Sequence, residues 1–201
     1  MAIISRNETP PTYKNFRSYK RCLRRDFHFR CGYCTIHEGE FDAGGTKSFC
    51  VDHFRPKHLF LDLKCVYSNL YYACRHCNEN KGGHWPSEAL ESAGFRFLDP
   101  CVDDYYGRHL FVEPDGRIVP QSKAGAYTVD HIRLNRPYLK RLRQSRYVVA
   151  VQIAVVRKLL DQVEKDYSVP RGAVRVVRDR LAELERRHLF PSVPYELVDQ
   201  R

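Results

Sequence analysis

Two patterns in this chain can carry metal and proton chemistry. The stretch 49-FCVDHFRPKH-58 sets an acid beside a histidine, Asp52-His53, and follows at once with Arg55, Pro56 and Lys57. On either side lie two CxxC pairs, Cys31-Gly-Tyr-Cys34 and Cys74-Arg-His-Cys77. Two thiolates separated by two residues grip one Zn²⁺ from a tight turn. Two such turns complete a closed tetrahedral Cys₄ site, which is structural rather than catalytic. Zinc binding of this kind contributes folding free energy on the order of 10 kcal/mol in small domains. Chance cysteines in a core are the plainer alternative. Cys22, Cys50, Cys65 and Cys101 show no such spacing and are read as buried or partly buried thiols.

A buried Asp-His pair can be purely structural. The same pair beside a metal can hydrolyse a phosphodiester. Asp52 is a hard oxygen ligand suited to Mg²⁺ or Mn²⁺. His53 is of the type that takes a proton from water near neutral pH. A base activates the water, and a metal stabilises charge on the phosphate and the leaving oxygen. Arg55 and Lys57 can hold the flanking phosphates. The stretch 68-SNLYYACRHCNENKGG-83 supplies further parts. Asn78 directly follows the last cysteine of the pair, so the zinc turn fixes its position, and its amide oxygen can be a second metal ligand. Asn69 can hydrogen-bond the backbone of the loop carrying His53. Lys81, one helical turn past Asn78, is read as reaching phosphate.

The order is CxxC, then DH with a proline three residues past the histidine, then N-L, then CxxC-N-x-x-K. It resembles the HNH endonuclease family, with its ββα-metal (treble-clef) finger, over residues 31–83. The resemblance implies His53 as general base, with Asp52 and Asn78 as ligands of a catalytic divalent metal. It implies Asn69 as the residue that positions the histidine loop, and Cys31, Cys34, Cys74 and Cys77 as structural zinc ligands. The family often has histidine where this chain has Asn78, and asparagine is a common variant there. His76 and His84 rank behind Asn78 as ligands. Mg²⁺ is the default metal from abundance, while Mn²⁺ and Ni²⁺ also fit an oxygen and nitrogen site. The run 97-FLDP, the segment 109–120 and 131-HIRLNRPYLKRLR-143 resemble short bacterial HNH proteins of phage-defence loci, including those acting beside an ATPase. That looser likeness implies a role in defence against phage or foreign DNA, with a protein partner such as an ATPase.

The elements around these residues must position them. At 201 residues, 43% of them hydrophobic, the chain can fold as one domain or as a small domain with an extension. Residues 1–13 read as a loose arm, with Pro10 and Pro11 stopping regular structure. Residues 15–29 read as a basic helix with Phe16, Tyr19, Leu23 and Phe27 on one face. The glycine-rich segment 37–47 reads as a loop, 48–53 as a short strand, and 54–68 as irregular. A short helix starts at Cys77 and runs to Lys81, closed by Gly82 and Gly83. The segment 109-HLFVEPDGRIVP-120 predicts a hairpin around Pro-Asp-Gly. From 138 to 165 Val149, Ile153, Val156, Leu160 and Val163 follow helical spacing. A second helix carries Val174, Val177, Leu181 and Leu184, and the two are read as an antiparallel pair. The expected class is α+β: a ββα-metal finger core with an N-terminal basic helix, a β-hairpin and a C-terminal helical pair. The expected divisions are 1–30, 31–100 and 101–201, with the last packed on the finger.

The formal net charge of +10 and pI near 9.3 favour a polyanion, most simply nucleic acid, and the family resemblance implies DNA, double-stranded. Arg6, Lys14, Arg17, Lys20, Arg21, Arg24, Arg25 and Arg30 form one acid-poor run, and Arg133, Arg136, Lys140, Arg141, Arg143 and Arg146 another. No apolar run approaches the roughly 20 residues that span a bilayer. The start of the chain lacks a signal-peptide apolar core. The expectation is a cytoplasmic protein with no membrane role, whose cysteines are reduced. Three functions fit: a DNA-cutting enzyme, a zinc-stabilised DNA-binding module that never cuts, and a nuclease subunit silent until a partner docks.

Overall fold

The segment 70-LYYAC-74 is buried along its whole length, so it shows none of the alternation that marks a half-exposed strand. It is nonetheless a strand. In the computed structural model β1 (Phe49–His53) pairs antiparallel with β2 (Leu70–Cys74), in a register that sets Asp52 opposite Tyr71 and His53 opposite Leu70. Helix α2 (Arg75–Lys81) follows β2 without a loop, with Cys74 as its N-cap. These elements form a ββα-metal finger. The structure describes residues 4, 6–7, 9–41, 45–166 and 168–187.

The chain divides into two compact units, Met1–Glu113 with Ile118–Arg136, and Pro114–Arg117 with Pro137–Arg201. In the first unit the basic N-terminal segment is less regular than its spacing suggests. A 3-10 turn (Phe16–Tyr19) leads into α1 (Lys20–Asp26), and the helix stops where His28 and Phe29 take φ of +49° and +62°. That left-handed pair, uncommon for non-glycine residues, turns the chain towards Cys31. The expected face of α1 is buried at Tyr19, Leu23 and Phe27. Phe27 meets Tyr71 edge-on at 5.5 Å, and Phe49 stacks on Tyr72 at 4.8 Å. Within the N-terminal arm, Ile4 and Arg6 are anchored rather than loose. Ile4 is buried, and the Arg6 guanidinium lies 4.6 Å from the Tyr71 ring centroid and donates to the Tyr67 carbonyl at 3.0 Å.

The unit continues with α3 (Glu88–Ser92), strands β3 (Leu110–Val112) and β4 (Ile118–Pro120), and α4 (Lys123–His131). Strands β3 and β4 pair antiparallel, as the hairpin reading predicts. Ser87 and Ser122 cap α3 and α4 with their side chains.

The second unit holds the hairpin turn and two helices, α5 (Pro137–Lys165) and α6 (Arg171–Arg187). Gly116 has φ +81°, and a Cβ there would lie 2.0 Å from the Lys140 carbonyl, so only glycine fits. Helices α5 and α6 run antiparallel: Arg157 reaches Glu185, and Arg178 reaches Glu164. Ile153 and Leu184, members of the stripes expected from their spacing, are buried. No helix among the described residues is long and apolar enough to cross a membrane.

Candidate active site and metal centre

The two CxxC pairs converge. The first sits in a tight turn closed by Thr35 N–H to the Cys31 carbonyl and Cys31 N–H to the Ile36 carbonyl, both 2.9 Å. Gly32 is required here, because a Cβ would stand 2.6 Å from the Phe27 ring. The second pair joins the end of β2 to the first turn of α2. All four cysteines are buried, and their sulfurs lie within 4.8 Å of one another. Cys34 and Cys74 Sγ are 3.8 Å apart. A tetrahedral ion with Zn–S bonds of about 2.3 Å sets its sulfurs about 3.8 Å apart, so the donor set fits Zn²⁺. Burial opposes ionisation of Cys34. Contacts from Cys31, Cys74 and Cys77 and the charge of Arg136 outweigh it and hold the Cys34 thiol well below its usual range.

Asp52 and His53 sit at the end of β1 and line one cleft of about 680 Å³ with Asn78, Lys57 and His58. His53 Nε2 lies 2.9 Å from the Lys64 carbonyl oxygen. A carbonyl only accepts, so Nε2 carries the proton and Nδ1 keeps the free lone pair. The Phe16 ring packs edge-on against the imidazole at 4.6 Å. Burial lowers the His53 pKa, outweighing the Lys64 carbonyl and Asp52, which raise it. The neutral ring is thereby favoured, the form a general base needs.

Asn69 is hydrogen-bonded to the loop that follows His53. Its Oδ1 accepts from Arg55 N–H at 2.8 Å, and its Nδ2 donates to the carbonyls of Arg55 at 3.0 Å and Leu63 at 3.3 Å. Its own carbonyl accepts from Phe54 N–H at 2.8 Å.

Asp52 accepts a hydrogen bond from the Tyr33 hydroxyl and pairs with Lys81 Nζ at 3.2 Å. Both contacts fall on Oδ2. Among the described residues Oδ1 accepts none, which leaves one oxygen for a cation.

The structure corrects the reading of Lys81 as a phosphate contact. Its side chain is 0% exposed, and Nζ donates to the His53 carbonyl at 2.7 Å. It is an internal strut between the end of α2 and the Asp-His pair. Cys77 and Lys81 are four residues apart on one helix, so they share a face. That spacing was the signal of burial.

Arg55 is exposed, but its guanidinium lies over Phe60 and Trp85, at 5.4 and 5.6 Å, and is not part of the cleft wall. Lys57 is on the wall and exposed. Arg17, Lys20 and Arg75 join it there, residues that the motif alone does not single out. His76 stacks on Phe41 and His84 meets His131, and neither lines the cleft.

The second basic run is largely engaged within the protein. Arg136 points at the cysteine sulfurs, Lys140 pairs with Asp115, Arg143 donates to the Gly116 carbonyl, and Arg146 is buried.

Comparison with known proteins agrees with this geometry. Residues 31–83, which hold the finger, match the family model for HNH endonuclease. The chain is also similar to Septu protein PtuA of Bacillus mycoides (strain KBAB4). The two are 25% identical over 158 residues, covering 69% of this chain and 22% of that protein. The chain therefore spans less than a quarter of the length of the curated relative it matches.

Proposed function

We propose that the chain is a metal-dependent endonuclease that hydrolyses DNA phosphodiester bonds. The observation that carries this reading is the tautomer of His53: Nε2 is held by the Lys64 carbonyl, leaving Nδ1 free as a base in a cleft shared with Asp52 and Asn78. His53 Nδ1 takes the proton of a water as its oxygen attacks phosphorus, and the P–O bond to the leaving oxygen breaks. A divalent ion on Asp52 Oδ1 and the Asn78 amide oxygen, Mg²⁺ by default or Mn²⁺ or Ni²⁺, would supply charge stabilisation at the phosphate and leaving oxygen. Lys57, Arg17, Lys20 and Arg75 hold flanking phosphates along the cleft. No base-reading element is evident among the described residues, so recognition rests on phosphate and groove shape. Structural Zn²⁺ on the four cysteines holds β2 and α2 in place.

The setting is bacterial defence against phage or foreign DNA, in the cytoplasm, with a protein partner such as an ATPase. Support comes from the resemblance to HNH proteins of phage-defence loci and from the likeness to Septu protein PtuA.

One observation favours a second reading, a finger that binds DNA without cutting. Asp52 already has a cation, Lys81, within 3.2 Å. Plasmid nicking separates the two. The nuclease reading expects nicked or linear product with Mg²⁺ or Mn²⁺ and none with EDTA. A zinc-loaded protein that shifts DNA in a gel yet leaves it intact with every metal is the binding module, or a subunit awaiting its partner.

A further inference from the structure

The four cysteines alone make an electrically unbalanced site. Four thiolates around one Zn²⁺ carry a net charge of two minus, and all four are buried. A buried charge is costly unless it is paired. A cation reaches the sulfurs from far along the chain. Arg136 Nη2 lies 3.3 Å from Cys77 Sγ, 3.8 Å from Cys74 Sγ and 4.0 Å from Cys34 Sγ. It is fixed in that pose, since Nη1 donates to the carbonyls of Ile132 at 3.4 Å and Arg133 at 3.3 Å. The segment carrying it is itself tied down. Asn80 of α2 donates to the Ile132 carbonyl at 3.1 Å, and Asn135 bonds both backbone groups of Ile118, at 2.7 and 2.8 Å.

We infer that Arg136 is a working part of the zinc centre: an outer-sphere guanidinium that bonds the coordinating sulfurs, offsets their charge and locks residues 132–136 onto the finger. The metal centre then extends well beyond residues 31–83. It uses a residue that composition alone assigns to a DNA-binding run. Groups that hold a metal's ligands from outside typically change affinity about 10- to 100-fold when removed. Here the loss takes a definite form. Without the guanidinium the sulfurs lose their outer-sphere hydrogen-bond donor and the charge that offsets theirs, and zinc leaves faster.

The inference rests on the four cysteines binding zinc, not on DNA cleavage. The test is zinc transfer from the intact chain to a chromogenic chelator, for wild type, Arg136→Gln, Arg136→Lys and the exposed neighbour Arg133→Gln. Arg136→Gln should release zinc roughly 10- to 100-fold faster. Arg136→Lys keeps the charge but loses the fork and should fall between, and Arg133→Gln should match wild type. Release from Arg136→Gln at the wild-type rate overturns the inference. If Arg136→Gln does not fold with zinc in excess, Arg136→Lys decides: faster release supports the inference and an unchanged rate overturns it. Hydrogen exchange on wild type gives an independent reading. Stripping zinc should deprotect 132–136 together with 31–34 and 74–77, whereas continued protection of 132–136 alone would sever that segment from the metal. Wild type that holds no zinc would instead defeat the Cys₄ assignment itself.

Discussion

His53 and Lys81 show how little a residue type says until its surroundings are known. Both stand beside Asp52. His53 is tuned towards neutrality by burial and keeps Nδ1 free. The sign of its pH dependence follows. A base acts only when unprotonated, so the single-turnover cleavage rate should rise with pH through a pKa below 6.5 and level off above it. The same depressed value costs stability in acid. Below the unfolded histidine pKa the unfolded chain takes up a proton that the folded one refuses, so stability falls from about pH 6.5 towards the folded pKa. A rate that falls with rising pH across this window would contradict the assignment. Lys81 is the opposite case, a cation with no exposure, paired to a carboxylate that is itself 5% exposed. Lys81→Met leaves Asp52 buried without its cation and should cost about 3–5 kcal/mol in urea unfolding. A cost below about 1 kcal/mol would mean that the pair is not sealed from water. That Asp52, His53 and Asn78 share one cleft was legible through the motif order that resembles the HNH family. The burial of Lys81 was legible only through its spacing from Cys77. Arg136 was not legible at all, because 59 residues separate it from Cys77.

At the scale of elements, the finger works by converting strand register into a cleft. The β1–β2 ladder brings Asp52 and His53 alongside the segment that leads into α2, and Asn69 ties the intervening loop to the start of β2. Asn69→Ala removes three side-chain hydrogen bonds to that loop. At about 1 kcal/mol each, partly recovered by water, it should lower stability by about 2 kcal/mol. It should slow cleavage more than it weakens DNA binding, because the Lys64 carbonyl that orients His53 rides on the same loop. Equal losses in rate and affinity would make Asn69 a general scaffold residue. Strand β1, α2 with its glycine stop, the β3–β4 hairpin and the α5–α6 pair could all be read from periodicity and turn chemistry. Strand β2 could not, because a fully buried strand has no polar face to alternate with. Helices α3 and α4 were not read from the sequence; their serine caps are seen only in the structure.

The whole molecule carries a net charge of +10, but its cations are not interchangeable. Arg17, Lys20, Lys57 and Arg75, from the N-terminal segment and finger, line the cleft to which the proposed function assigns phosphate. Most of the second run serves the fold. If the four cleft cations each meet a phosphate, the logarithm of DNA affinity should fall with the logarithm of salt at a slope of about −3 to −4. Lys57→Gln should shrink that slope by about one. Arg143→Gln should leave it unchanged while lowering stability, since its Nε bonds the Gly116 carbonyl at 2.6 Å. An equal effect of the two substitutions on the slope would return the second run to the DNA interface.

The central claim is that His53 is the base of a nuclease. The most direct measurement is the single-turnover rate on an end-labelled DNA duplex with Mg²⁺, for wild type and His53→Ala, beside the DNA affinity and zinc content of each. The account predicts cutting by wild type, a loss of about 10²- to 10⁴-fold in His53→Ala, and unchanged affinity and zinc. Cleavage by His53→Ala at the wild-type rate, or an intact duplex under a folded, zinc-loaded and DNA-bound wild type, would contradict it.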